Sequence, residues 1–225
     1  MRIEVGIPGQ GTIFLNHKGL LCFYSRYFKA ALSRDIVESK THVVKLPEED
    51  PKTYKLFEHW LYEVDLRKQG VYLHPWHPCE PPDFLPVIDL WLFAERREIP
   101  LLANNCIDAL RDLIVRHWLL PTGQMPYIYS LTVPGSPLRR FTIDIMARIW
   151  CDGRTGRLEF LDFTGEIWED LTRAQLSRPV ELTRRAVDRM LTCKWHEHPT
   201  GEWCGGGWSD EGGEVTATME RLFCA

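Results

Sequence analysis

Apolar and polar positions along the chain alternate with two different periods, and each change of period marks an element. Residues 2–5 and 12–16 are rich in β-branched and aromatic side chains that suit a pleated surface. They flank the turn Pro8-Gly9-Gln10-Gly11, so a hairpin is predicted. From Leu20 the spacing becomes helical. Leu20, Leu21, Phe23, Tyr24, Tyr27, Phe28, Ala31 and Leu32 form one broad stripe, which predicts a helix ending near Ser33. Residues 39–42 lead into a strand at residues 43–46. Asp50 can then cap a helix that opens on Pro51, where a missing N–H is tolerated, with Tyr54, Phe57, Trp60 and Leu61 facing inward.

The pattern collapses between residues 67 and 86, RKQGVYLHPWHPCEPPDFLP, where prolines and a glycine exclude a continuous helix or a central strand. This segment reads as an insertion loop. Helical spacing returns over residues 85–97 through Ile88, Trp91, Leu92 and Glu95, and stops at Ile99-Pro100 because a residue before proline disfavours the helical region. Residues 101–118 predict another amphipathic helix, with Leu102, Cys106, Ala109, Leu110 and Leu113 inward. A linker at 119–124 precedes helical patterns at 125–131, 137–151, 160–171 and 177–190. From Thr200 the composition of glycine, acidic and small residues predicts a disordered tail.

Two stretches carry more than periodicity: FLNHKGLLCFYSRYFKAAL at residues 14–32 and VVKLPEEDPKTYKLFEHWLY at residues 43–62. His17 and Lys18 close a strand, and Leu20, Leu21, Tyr24, Ser25, Tyr27 and Phe28 follow on a helix. Leu46, Glu48, Asp50, Pro51, Phe57, Trp60, Leu61 and Tyr62 come next. In this order and spacing the chain resembles the BTB/POZ domain. WLFAERREIPLL followed by NNCIDALRDLI is similar to the last two helices of that family. The Leu-Pro-Glu-Glu-Asp-Pro run and the long C-terminal extension are similar to those of fungal BTB proteins.

The resemblance implies an α+β fold, a small β-sheet flanked by α-helical hairpins over residues 1–118. Beyond it, periodicity and composition, not the resemblance, give a mostly helical extension (119–192) and a Cys/His-containing, Gly-rich flexible tail (193–225). The resemblance implies a protein–protein interaction module, either a substrate adaptor for a cullin-based ubiquitin ligase or a scaffold. The family's cullin contacts map onto Tyr62, Glu63, Val64, Asp65 and Leu66, followed by the proline-rich insertion. Many family members dimerise through a helix and strand ahead of this pattern. Here the chain opens at Met1 on the first hairpin strand, so self-association by that route is not expected.

Composition narrows the classes further. Hydrophobic content of 44% and charged content of 26% are ordinary for a globular chain, and nine tryptophans with ten phenylalanines can fill a sizeable core. The net charge of −4, from 31 acids against 27 bases, gives no electrostatic footprint for nucleic acid or an anionic membrane. No apolar run approaches the roughly 20 residues needed to span a bilayer, and no secretory signal is visible, so a cytoplasmic or nuclear location is expected. Seven scattered cysteines fit a reducing compartment, with Cys22 and Cys106 read as small buried hydrophobes.

The candidate chemistry is sparse. Cys193, His196, His198 and Cys204 are the ligand types of a tetrahedral zinc site, which could order a tail with too little core of its own. The spacing is not that of a standard finger, and the competing reading is a polar loop in which Trp195 and Trp203 pack on the helical extension. No cofactor is expected on that reading, and one structural zinc on the other. His74, His77 and Cys79 form a second His/Cys group in the insertion, where prolines favour extended backbone over a ligand cage. His17 and Ser25 read as hydrogen-bonding positions rather than a catalytic pair, and Glu48, Glu49 and Asp50 as helix capping rather than acid–base chemistry. Arg178, Arg184, Arg185 and Arg189 interleave with Glu181 and Asp188 as a solvated face. No phosphate-loop, nucleophile-elbow or zincin motif occurs, and a non-enzyme is expected. The alternative is a transcription-associated factor with a zinc-stabilised tail.

Overall fold

The computed structural model describes residues 1–33, 41–66, 82–149, 162–177, 183–189 and 192–198. Strands β1 (Arg2–Val5) and β2 (Thr12–Leu15) pair antiparallel, with Ile3 opposite Phe14 and Val5 opposite Thr12. The other edge of β1 takes β3 (Val43–Leu46) in parallel, with Ile3 beside Val44 and Val5 beside Leu46. Sheet order is therefore β2-β1-β3. Strand residues alternate between faces, so Ile3, Val5, Phe14, Val44 and Leu46 share one face, and all five are buried. Arg2, Glu4, Ile13, Leu15 and Lys45 take the other. In the hairpin, Gly6 and Gly9 adopt φ of +92° and +86°, and a Cβ on Gly11 would collide with the Val5 carbonyl oxygen, so this turn requires glycine.

The single helix expected after His17 is two helices, α1 (Lys18–Tyr24) and α2 (Arg26–Ser33). The break is Ser25, which is extended at φ −119° and ψ 122°. Its Oγ accepts the Phe28 N–H at 3.0 Å, capping α2, and donates to the Arg97 carbonyl at 2.6 Å. Serine offers its backbone neighbours this alternative to a continuous helix, which an apolar stripe does not register. Ser25→Ala should cost about 1–2 kcal/mol, read as a lower urea midpoint with an unchanged m-value.

Helix α3 (Pro51–Glu63) begins as expected, with Asp50 Oδ2 accepting the Thr53 N–H at 3.3 Å. Tyr54, Phe57, Trp60 and Leu61 are all buried. Helices α4 (Leu85–Arg96) and α5 (Pro100–His117) form an antiparallel hairpin, closed by an Ile99 N–H donating to the Ala94 carbonyl at 2.9 Å. Val87, Ile88 and every residue from Leu90 to Ala94 are buried, which makes α4 the central helix.

The C-terminal part adds α6 (Met125–Leu131), α7 (Pro137–Ile149), α8 (Gly165–Ser177), the short α9 (Arg184–Asp188) and a 3-10 turn at Thr192–Trp195. Met125, Ile128, Leu138, Phe141, Ile167, Val187 and Trp195 join the same hydrophobic core as the sheet and α1–α5. Arg139 locks three of these helices together. Its buried guanidinium donates to the Tyr129 and Thr132 carbonyls at the end of α6, ion-pairs with Glu166 of α8 and lies 4.1 Å from the Tyr129 ring centroid. α8 begins at Gly165 and runs past Leu171, where the sequence pattern predicts a helix over 160–171, with Arg173 paired to Glu169 and Asp170 one turn back. Among the described residues no helix is long and apolar enough to cross a membrane.

Candidate functional site

The C-terminal end of α3 presents the residues expected to meet a partner. Tyr62 is 45% exposed and Val64 is 37% exposed, with Glu63 exposed between them and Asp65 half-buried beyond. Leu66 departs from the expectation. It is 2% exposed and belongs to the core, because the chain turns inward once α3 has ended. Val64 makes that turn at φ 53°, ψ 19°, its N–H donating to the Trp60 carbonyl at 2.7 Å. A β-branched residue at positive φ is strained, since Cβ crowds the carbonyl oxygen.

His17 holds Tyr62 in place. Its N–H donates to the Tyr62 hydroxyl at 3.3 Å, and its Nδ1 shares a 3.0 Å hydrogen bond with the same oxygen. This is the hydrogen-bonding role expected at the strand–helix junction. Lys18 is exposed and opens α1, while Leu20 is half-buried and Leu21 fully buried. An edge-on relay of rings runs from Phe23, itself 79% exposed, over Tyr24 to Trp60. The Trp60 indole N–H donates to Asn105 Oδ1 at 2.8 Å, tying α3 to α5. Beneath them the buried Tyr54 hydroxyl donates to Asn16, whose amide donates to Glu58, both at 2.8 Å. Burial, reinforced by Glu58 and Tyr62, pushes the Tyr54 phenol far up, so it stays a donor.

The acidic run before α3 divides its work in a way the sequence reading misses. Asp50 caps, as expected, but Glu49 is buried with its side chain 1% exposed. Arg96 meets it through two bonds, at 3.1 and 2.7 Å, and Arg97 donates to it at 2.8 Å. Arg97 also reaches Glu48 at 2.9 Å and lies 4.4 Å from the Tyr27 ring centroid. Hydrogen bonding from Arg97 holds the Glu48 carboxyl below its usual range. Ser25, Tyr27, Glu48 and Glu49 thus all converge on the α4–α5 corner. The signal in the sequence is the adjacent pair Arg96-Arg97, flanked by Glu95 and Glu98 and nearly fifty positions from Glu48 and Glu49.

The third locality is the turn at Thr192–Trp195 and the residues after it. Trp195 is 3% exposed and packs edge-on against Phe141, as the polar-loop reading expects. Lys194 ion-pairs with Asp144 at 2.8 Å. The Asn104 side chain clasps the backbone of Glu197, accepting its N–H at 2.8 Å and donating to its carbonyl at 2.9 Å. Residues 193–198, placed by the domain division at the start of the Cys/His-containing, Gly-rich tail, are docked on α5 and α7.

Of the four sequence-predicted metal ligands, the three that are described do not converge on one point. Cys193 Sγ lies 3.5 Å from His198 Nε2. His196 is turned inward, its Nε2 3.3 Å from Asp108 Oδ1, which also accepts from the Thr192 hydroxyl. Burial alone would raise the Asp108 carboxyl, but the close approach of His196 and the Thr192 hydroxyl outweigh it and hold the group below the ordinary range. Cys204 lies outside the described residues, as do His74, His77, Cys79, Trp203, Arg178 and Glu181 and most of the insertion. Among the described residues no group of three or more His, Cys, Asp or Glu side chains converges as a metal centre. Cys106 is fully buried, and burial pushes its thiol well up, consistent with its reading as a small hydrophobe. Arg184, read as part of a solvated face, donates to the Arg116 carbonyl and so caps the end of α5.

Comparison of the chain with protein-family models and with characterised proteins gives no match.

Proposed function

We propose that the chain is a BTB/POZ-like protein-interaction module, a substrate adaptor for a cullin-based ubiquitin ligase or a scaffold, whose partner surface centres on Tyr62 and Val64. The observation that carries this reading is Val64. Glycine or asparagine would take the left-handed position after α3 with less strain, yet a valine stands there, more than a third exposed. Its side chain is spent on the surface, beside an exposed tyrosine fixed by His17. Glu63 and Asp65 supply a polar rim to this apolar centre, the composition of a recognition patch. Function on this reading is surface complementarity, and the domain makes and breaks no bond.

The test separates stability from binding. Val64→Gly should raise stability by about 0.5–1 kcal/mol, the relief of left-handed strain exceeding the entropy cost of glycine. The same variant should bind a cullin N-terminal domain more weakly in calorimetric titration, and Tyr62→Ala should weaken it by about tenfold or more while leaving the fold intact. Unchanged affinity in both variants would remove this surface from the account.

A further inference from the structure

Arg116, His117, Arg184, Arg185 and Arg189 gather where the C-terminal end of α5 meets α9. Arg184 donates to the Arg116 carbonyl and so holds α9 against the last turn of α5. Arg185 and Arg189 lie one turn apart, the Arg189 N–H donating to the Arg185 carbonyl at 3.2 Å, and share a face. All four arginines are exposed, and among the described residues none of them has an ion-pair partner. Asp188, the one acid of α9, pairs with none of them. Burial, together with the charges of Arg116 and Arg184, pushes His117 below its ordinary range, so no neighbouring carboxylate answers the positive potential here.

The opposite charge is in the sequence that follows. Residues 199–225, outside the described residues, carry Glu202, Asp210, Glu211, Glu214 and Glu220 against the single base Arg221, so the whole net charge of −4 resides in them. Three of those acids fall within residues 208–214, WSDEGGE, which hold no base and open on a tryptophan able to stack on a guanidinium. The reach is sufficient. Asn104 holds the backbone of Glu197, so the chain leaves His198 about 20 Å along α5 from Arg116. Residues 199–207 span up to about 30 Å when extended. We propose that residues 208–214 fold back onto this basic face, with Asp210, Glu211 and Glu214 set against Arg116, Arg185 and Arg189. An acidic partner from outside must then displace the chain's own segment. Each exposed ion pair alone contributes little, so the contact depends on several charges together and on tethering, which supplies an effective concentration on the order of millimolar. It fades as salt rises.

The test compares the full chain with a full-length variant carrying Asp210→Asn, Glu211→Gln and Glu214→Gln. A dye-labelled synthetic peptide of residues 205–217 is titrated against each at about 20 mM salt and followed by fluorescence anisotropy. The neutralised chain, its basic face vacated, should bind the peptide about tenfold more tightly than the unaltered chain, whose own segment competes. Adding Arg185→Gln and Arg189→Gln to the neutralised chain should remove that binding. A second readout follows the His117 imidazole by NMR through a pH titration. Carboxylates docked beside it favour its charged form, so its midpoint should be lower in the neutralised variant than in the unaltered chain. Equal affinity of the peptide for both chains would mean that the face stands open to an outside partner, and would overturn the proposal. So would failure of the peptide to bind either chain, or a His117 midpoint that does not move.

Discussion

Glu49→Ala is expected to destabilise the protein by about 3–5 kcal/mol, the range for removing one partner of a buried ion pair. The Glu49 and Arg97 side chains are 1% and 6% exposed, so the substitution leaves a guanidinium enclosed without its nearest carboxylate. Arg96 is 46% exposed and can turn to water, so most of the loss comes from Arg97. Glu48 cannot replace Glu49, because at 61% exposure its attraction is screened, and Glu48→Ala alone should cost under about 1 kcal/mol. Glu49→Leu combined with Arg97→Met should recover much of the stability by replacing a buried pair with apolar contacts. Urea unfolding of the three variants checks this. A loss for Glu49→Ala no larger than that for Glu48→Ala would mean that the corner is not held by this pair.

Phe57→Ala should have an effect of similar size, about 3–5 kcal/mol, by a different mechanism. Phe57 is fully buried, and its ring lies 4.9 Å from Phe93, 5.3 Å from Tyr54, 6.2 Å from Phe28 and 6.3 Å from Trp60, centroid to centroid. It therefore joins α2, α3 and α4, and truncation opens a cavity at their common centre. Phe57→Leu keeps most of the volume and should lose less than half as much. The urea midpoint and the near-ultraviolet dichroism of the surrounding rings report on the same event. Retention of both in Phe57→Ala would show that the three helices are not packed through this ring.

What the sequence reveals and what it hides follow from the range of the interactions. The strands, the start of α3 on Asp50-Pro51 and the four inward residues of α3 were legible because caps and periodicity are local. The end of α4 at Arg96 was legible for the same reason, set by the proline at position 100. Parallel pairing of β1 with β3 was not visible in the pattern, since a strand's face does not specify its neighbour. Ser25 looked like one more position on a helix, yet its hydroxyl is drawn to Arg97, more than seventy positions away. Leu66 was assigned to a surface by position alone, although its chemistry favours burial. Of the metal set, spacing could not say that Asp108 would claim His196 and leave Cys193 with His198.

The partner reading joins a local strain at Val64, a tyrosine fixed by His17 and an order of motifs that resembles an interaction domain. Size-exclusion chromatography with light scattering, run on the chain alone and with a cullin N-terminal domain, tests it most directly. The account predicts co-elution at the summed mass of a defined complex, lost with Tyr62→Ala. Separate elution of the two folded proteins at high micromolar concentration would contradict direct docking on a cullin.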